Sequence, residues 1–91
     1  QTSPINMTDL QISVGYPVEA RDNGVQGMVV VRVLVDEEGT AQFFHYVNYV
    51  DYRLAEAVGA HIMDLRFTPA EMHGKKVPFW VNIPFNFKLI D

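Results

Sequence analysis

The residues able to do chemistry are few and scattered. His45, His61 and His73, with Asp51 or Asp64, are the only conceivable metal ligands of borderline type, and no two histidines stand at the local spacing that zinc sites use. His61 falls on an apolar helical stripe, where a half-buried, hydrogen-bonded histidine is the ordinary outcome. Nucleophilic catalysis would have Ser3 and Ser13, without a glycine elbow around either and without any cysteine. Glu37 and Glu38, next to Asp36, are the paired carboxylates, and they sit in a turn where solvated charge is expected. Glycines are spread among turns, so no phosphate loop is indicated. Neither an enzyme nor a metal or cofactor site is expected.

Composition narrows the class further. The chain has 91 residues, room for one domain, and 48% of them are hydrophobic against 20% charged, a globular balance. Its 7 Lys and Arg are outnumbered by 11 Asp and Glu, giving a net charge of -4. A nucleic-acid partner is therefore not expected. The absence of cysteine excludes disulfides and leaves the compartment open. No stretch has the length and apolarity of a membrane span, and no signal-peptide layout opens the chain.

The elements that position side chains follow from periodicity. Residues 1–15 read as a loosely attached lead-in, with Thr8–Ile12 as a short turn or strand; 16–91 reads as the domain. Pro17 as first helical residue and Gly24 as terminator frame a short helix over Val18–Asn23, with Tyr16 and Ala20 on its buried side. Val29, Val31, Val33 and Val35 alternate with other residues in a first strand over Gly27–Asp36. Asp36-Glu37-Glu38-Gly39 makes a hairpin turn into a second, aromatic-rich strand over Thr40–Asn48. Asp51 caps a main helix running to Leu65, with Leu54, Ala57, Val58, His61, Ile62 and Leu65 in one stripe. Met72–Lys76 reads as a loop pivoting on Gly74.

The last strand carries the functional argument. From Val77 to Leu89 the odd positions Val77, Phe79, Val81, Ile83, Phe85, Phe87 and Leu89 are all apolar, alternating with Pro78, Trp80, Asn82, Pro84, Asn86 and Lys88. A mid-strand proline cannot donate to a ladder, so this strand belongs at a sheet edge with the Pro84 nitrogen outward. The N–H groups of Trp80, Asn82 and Asn86 then face outward too. Such an edge is a template for an added strand, with Phe79 to Lys88 as the binding segment. The same edge is open to the lead-in or to a second copy of the chain. A right-handed crossover through the main helix gives spatial order 2-1-3 in a three-stranded antiparallel sheet. The expected fold is an α+β two-layer sandwich, with the short and main helices on one face. Trp80, Phe43, Phe44 and Tyr46 serve either a binding surface or the cover of the second sheet face; packing is the expectation for Phe44.

These motifs resemble a known family. Tyr16-Pro17-x-x-Ala20-Arg21, Gly24-x-x-Gly27-x-Val29-x-Val31, Val35-Asp36-x-x-Gly39 and Val50-Asp51-x-x-Leu54-x-Glu56-Ala57 follow in order. Then come Arg66-Phe67-x-Pro69-Ala70, Gly74-Lys75-x-Val77 and Ile83-Pro84-x-Asn86-Phe87-x-Leu89. In this order the chain resembles the C-terminal domain of TonB-type energy transducers. Ala55 and Leu65 depart from residues common in that family, without touching the last strand. The resemblance implies a periplasmic domain, anchored through absent N-terminal regions to the inner membrane and to the ExbB/ExbD motor. Such a domain grasps the TonB box of outer-membrane receptors by pairing it with the last strand, so that proton-motive force drives siderophore, vitamin or glycan uptake. It also implies possible homodimerisation through that strand. The alternative is a stand-alone or fused TonB-like scaffold or sensor that docks a protein partner without energy transduction.

Overall fold

The computed structural model describes residues 4–49 and 51–89, so Ser3 and Val50 lie outside the described residues. Five strands and three helices run in the order α1 (Met7–Val14), α2 (Val18–Asp22), β1 (Gly27–Val35), β2 (Ala41–Asn48), α3 (Tyr52–Gly59), β3 (Ala70–Met72), β4 (Lys75–Val77) and β5 (Phe79–Phe87) among the described residues. A 3-10 turn, Ile62–Asp64, follows α3. The main sheet is ordered β2-β1-β5 with both pairings antiparallel. The fold is the expected two-layer α+β arrangement.

The period-two pattern explains the core. Val29, Val31, Val33 and Val35 of β1 and Ile83, Phe85 and Phe87 of β5 point to one face. There they meet Ala20 of α2, Leu54 and Val58 of α3, and Ile62, Leu65 and Phe67 beyond it. The alternate residues Arg32, Trp80, Asn82, Pro84 and Asn86 remain exposed on the opposite face. Phe44 packs, but on the core face opposite Val33 rather than as cover of the second sheet face, whereas Phe43 and Trp80 stay 54% and 43% exposed.

The segment expected to be a loose lead-in is instead built into the fold. α1 places Met7, Leu10 and Val14 at i, i+3 and i+7, and Leu10 is 3% exposed within the core cluster. Asn6 ties the start of this helix down. Its Oδ1 accepts the Arg66 N–H at 2.8 Å and its Nδ2 donates to the Asp64 carbonyl at 2.9 Å. The Ile5 N–H donates to the Arg66 carbonyl at 2.7 Å. These are long-range partners, which is why local pattern does not reveal them.

Three other elements differ from expectation. Pro17 is the N-cap of α2 rather than its first helical residue, with ψ 134°. Gly24 does terminate α2: at φ 68° it lets Val25 N–H reach the Ala20 carbonyl at 2.8 Å and Gly24 N–H reach Arg21 at 3.1 Å. The main helix is half its expected length. α3 stops at Gly59 and the chain tightens into the 3-10 turn, so Ile62 and Leu65 are buried while Ala57 is only half-buried. Gly59 sits where the Tyr46 hydroxyl approaches, at 2.3 Å from where a Cβ would stand. The Met72–Lys76 region is a β-hairpin rather than a loop. His73 (φ 53°) and Gly74 (φ 78°) supply the paired left-handed residues of a tight turn between β3 and β4. Pro78 then separates β4 from β5.

Candidate edge-strand site

β5 pairs with β1 residue for residue, from Phe79 opposite Val35 to Phe87 opposite Gly27, with no register shift. Pro84 lies within this run, opposite Val30. An unbroken ladder accommodates a residue without an N–H only where that nitrogen points away from the partner strand. Backbone groups two residues apart point the same way, so Trp80, Asn82 and Asn86 turn their N–H and C=O groups outward with Pro84. Among the described residues β5 has a sheet neighbour on one side only.

The opposite edge of the sheet is different. Opposite β1, β2 carries an extra residue at two places: Val47, between the pairs Val30–Asn48 and Val31–Tyr46, and Gln42, between Leu34–Phe43 and Val35–Ala41. Such bulges spoil an edge as a template. The start of β2 is also occupied: Thr40 bridges Arg66, and Phe67 N–H donates to the Gly39 carbonyl at 2.9 Å. Phe67 bridges Pro4 in turn.

A cleft of about 330 Å³ opens beside the C-terminal half of β5. Its walls are Phe85, Asn86, Phe87 and Lys88 on one side and Gln11, Val14, Gly15 and Tyr16 on the other. Tyr16 fixes the junction. Its ring stands edge-on to Phe87 at 5.5 Å and 86°, and its hydroxyl donates to the Val25 carbonyl. Chain beyond β5 is tied back by the Leu89 N–H, which donates to Gln26 Oε1 at 2.7 Å. The structure thus brings Tyr16 together with the end of the last strand. Of the other motif residues, Ala20 is fully buried under α2 and Arg21 is exposed in its last turn, 3.9 Å from Asp22. Gln11, Val14 and Gly15 were not anticipated. The Met7-Leu10-Val14 spacing was the available signal, blurred by exposed Ile5 and Ile12.

At the other end of β5, on the helix-free face, Trp80 gathers an aromatic cluster. Phe43 and His45 lie 6.2 and 6.0 Å from its ring, and the Arg32 guanidinium carbon stands 5.1 Å from the ring centroid. Cation–π contact of this kind steadies an exposed indole. The polar candidates do not converge. His45 is in that cluster, half-buried His61 precedes the 3-10 turn, and His73 is at the β3–β4 turn. No group of three metal-capable side chains occurs among the described residues. Ser13 is exposed on α1, and Glu37 and Glu38 are exposed in the β1–β2 turn.

The carboxylates with shifted titration serve structure. Asp51 is held down to about 2 by the Arg53 side chain, which donates to both carboxylate oxygens at 2.9 and 3.0 Å, and by the Arg53 backbone N–H. Asp36 is lowered chiefly by the Thr40 N–H, with further help from Glu38 N–H and Gln42. These bonds fix the start of α3 and the β1–β2 turn.

The candidate site is thus one regular open edge of a two-layer sandwich with a cleft of mixed polar and apolar lining beside it. The chain belongs to the Gram-negative bacterial TonB protein C-terminal family, whose model matches residues 13–89. That family comprises non-enzymatic, periplasmic domains of energy transducers that act in transport and interact with outer-membrane receptors. Among solved structures, the solution NMR structure of the Pseudomonas aeruginosa TonB C-terminal domain matches with a TM-score of 0.75 and 23% identity, over 99% of this chain and 88% of that one. At that identity the likeness speaks for the fold. No curated protein matches the chain.

Proposed function

We propose that this domain captures the TonB box of an outer-membrane receptor by taking it up as an added strand on the β5 edge, Phe79 to Lys88. The carrying observation is the unshifted β1–β5 register with Pro84 inside it, which turns the backbone groups of Trp80, Asn82 and Asn86 toward the open side. About four or five added backbone bonds, at roughly 0.5–1.5 kcal/mol each, contribute about 2–7 kcal/mol. Association costs consume much of that, so a free peptide binds weakly and reversibly. Weak capture suits repeated engagement. Force directed along the added strand loads its rungs together, in shear. In this role the full-length protein has an inner-membrane anchor and draws on ExbB/ExbD.

The test is an NMR titration of the labelled domain with TonB-box peptides and scrambled controls. Saturable shifts centred on the amides of Trp80, Asn82 and Asn86 are expected. Shifts confined to another surface, or none from a monomer whose β5 amides exchange freely, would refute the reading. Amides of β5 already protected in the free protein would instead assign the edge to a second copy of the chain, a homodimer through the last strand.

A further inference from the structure

The helix-free face of the sheet holds two neighbouring rows of side chains that strand addition at β5 does not use. Register places Phe43, Leu34 and Trp80 across the sheet in one row and His45, Arg32 and Asn82 in the next. Two residues along each strand separate the rows by about 7 Å. The first row is apolar; the second ends in imidazole, guanidinium and amide groups. Trp80 joins them, with Phe43 and His45 edge-on at 6.2 and 6.0 Å and the Arg32 guanidinium carbon 5.1 Å from its ring centroid. Since β1 separates β2 from β5, the indole reaches across the sheet to make these contacts and is held by them. Arg32 is exposed, and beyond the indole it has no hydrogen bond or ion pair among the described residues. No Asp or Glu occurs in β1, β2 or β5. Asp36, just past β1, has its carboxylate engaged by the N–H groups of Glu38 and Thr40 and by Gln42.

From these two rows we infer that the helix-free face binds an acidic glycan, one uronic-acid ring stacking on Trp80 while its carboxylate meets Arg32. A pyranose has a CH-rich face, whose weakly positive hydrogens suit the negative face of an aromatic ring, and a rim of hydroxyls. A uronic acid carries its carboxylate on that same ring, so apolar face and charge adjoin, as the two rows do. Arg32 can take the carboxylate through two parallel N–H bonds, and His45 and Asn82 on either side of it can bond hydroxyls. The chain as a whole carries -4, so an acidic ligand is drawn only to a place where a cation stands clear of carboxylates. Other occupants fit less well. Both edges of β1 are paired, so this face offers side chains and no free main-chain ladder to an extended peptide. A second copy laid face to face brings Arg32 and His45 toward their like, with no carboxylate on these strands to answer them. One guanidinium is not the polybasic cluster that an anionic membrane surface requires.

Trp80 is the only tryptophan, so its fluorescence reports on this face directly. Three probes are titrated at low salt: tetragalacturonic acid, its full methyl ester, and a tetraglutamate peptide. A saturable change in Trp80 emission is expected with the acid. The uncharged ester should bind about two- to fivefold more weakly, as an exposed ion pair allows, and tetraglutamate more weakly than either sugar. In Arg32→Gln the acid should fall to the level of the ester. In labelled Trp80→Ala neither sugar should shift the Asn82 side-chain amide. Both side chains are exposed, so the variants should keep the wild-type amide spectrum away from the substitution. Equal binding of acid and ester, or acid binding unchanged in Arg32→Gln, overturns the inference. Tetraglutamate binding as tightly as the acid makes the face an acidic-peptide site and overturns it too, as does no response to either sugar at tens of millimolar. Uptake of a TonB-box peptide on β5 should be unchanged in Arg32→Gln, so failure on this face leaves strand addition standing.

Discussion

A pair of proline substitutions at neighbouring positions separates the two sides of β5. In Asn82→Pro the ring replaces an outward N–H. No bond to β1 is lost, and β5 already accepts Pro84 two residues on in the same unshifted register. In Val81→Pro the ring replaces an N–H aimed at β1, opposite Val33, a fully buried residue of the central strand. That change removes a ladder bond and leaves a β1 carbonyl unpaired, at a cost of about 1–3 kcal/mol before any clash. A domain of this size loses roughly 4–8 °C in Tm for each kcal/mol. Val81→Pro should therefore melt at least several degrees below wild type, while Asn82→Pro stays close to it. Peptide affinity should show the reverse dependence on outward groups. Asn82→Pro withdraws one donor, worth about 0.5–1.5 kcal/mol, and sets a pyrrolidine ring against the incoming strand, so a loss of tenfold or more is expected. Thermal melts by circular dichroism and peptide titrations by NMR read the two effects. Equal destabilisation by both prolines would refute the assigned parity of β5. An Asn82→Pro variant that binds peptide normally would remove β5 as the site.

Three further outcomes test the frame around that edge. Leu10→Ala should cost about 2–5 kcal/mol in urea unfolding, because Leu10 is 3% exposed in the core; a loss near zero would mean that α1 is dispensable. Gly39→Ala should destabilise more than Gly24→Ala. Both have positive φ, worth about 1–3 kcal/mol, but a Cβ at Gly39 would lie 2.0 Å from the Phe67 carbonyl oxygen and at Gly24 would meet nothing within 4 Å. Equal losses would show that the Gly39–Phe67 approach is not tight. Asp51 is depressed to about 2 in the folded state, so its pairing with Arg53 stabilises fully above the ordinary carboxylate range and is lost as pH falls from about 4 through 2. The Tm gap between wild type and Asp51→Asn, which retains a capping side chain, should close over that window; a gap independent of pH would exclude the charge as its source.

Much of this architecture is legible from residue pattern. The β1 valines and the odd residues of β5 announce a shared buried face because a period of two has no other use, and Pro84 marks an edge because the ladder cannot use it. What escapes is set by partners far away in sequence. Asn6 stands at the N-cap of α1, yet its side chain is spent on Asp64 and Arg66, 58 and 60 residues on. The stripe from Leu54 to Leu65 reads as one helix because a 3-10 turn preserves which residues face inward while changing how they are reached. Only half of the cleft at the end of β5 could be anticipated, since Gln11 and Val14 come from a helix whose inward stripe is diluted by the exposed Ile12.

The contrast between the two margins of the sheet has a consequence for assembly. A three-stranded sheet with two usable margins has a valence of two, and identical units then add end over end into fibres. Here Val47 and Gln42 bulge one margin and Thr40 is already engaged by Arg66, which leaves a valence of one. Two copies meeting at β5 make a closed pair with no margin left to propagate. A docked peptide ends the chain of additions in the same way. Under the proposed strand addition, receptor capture and self-association would compete for this one margin instead of feeding a polymer.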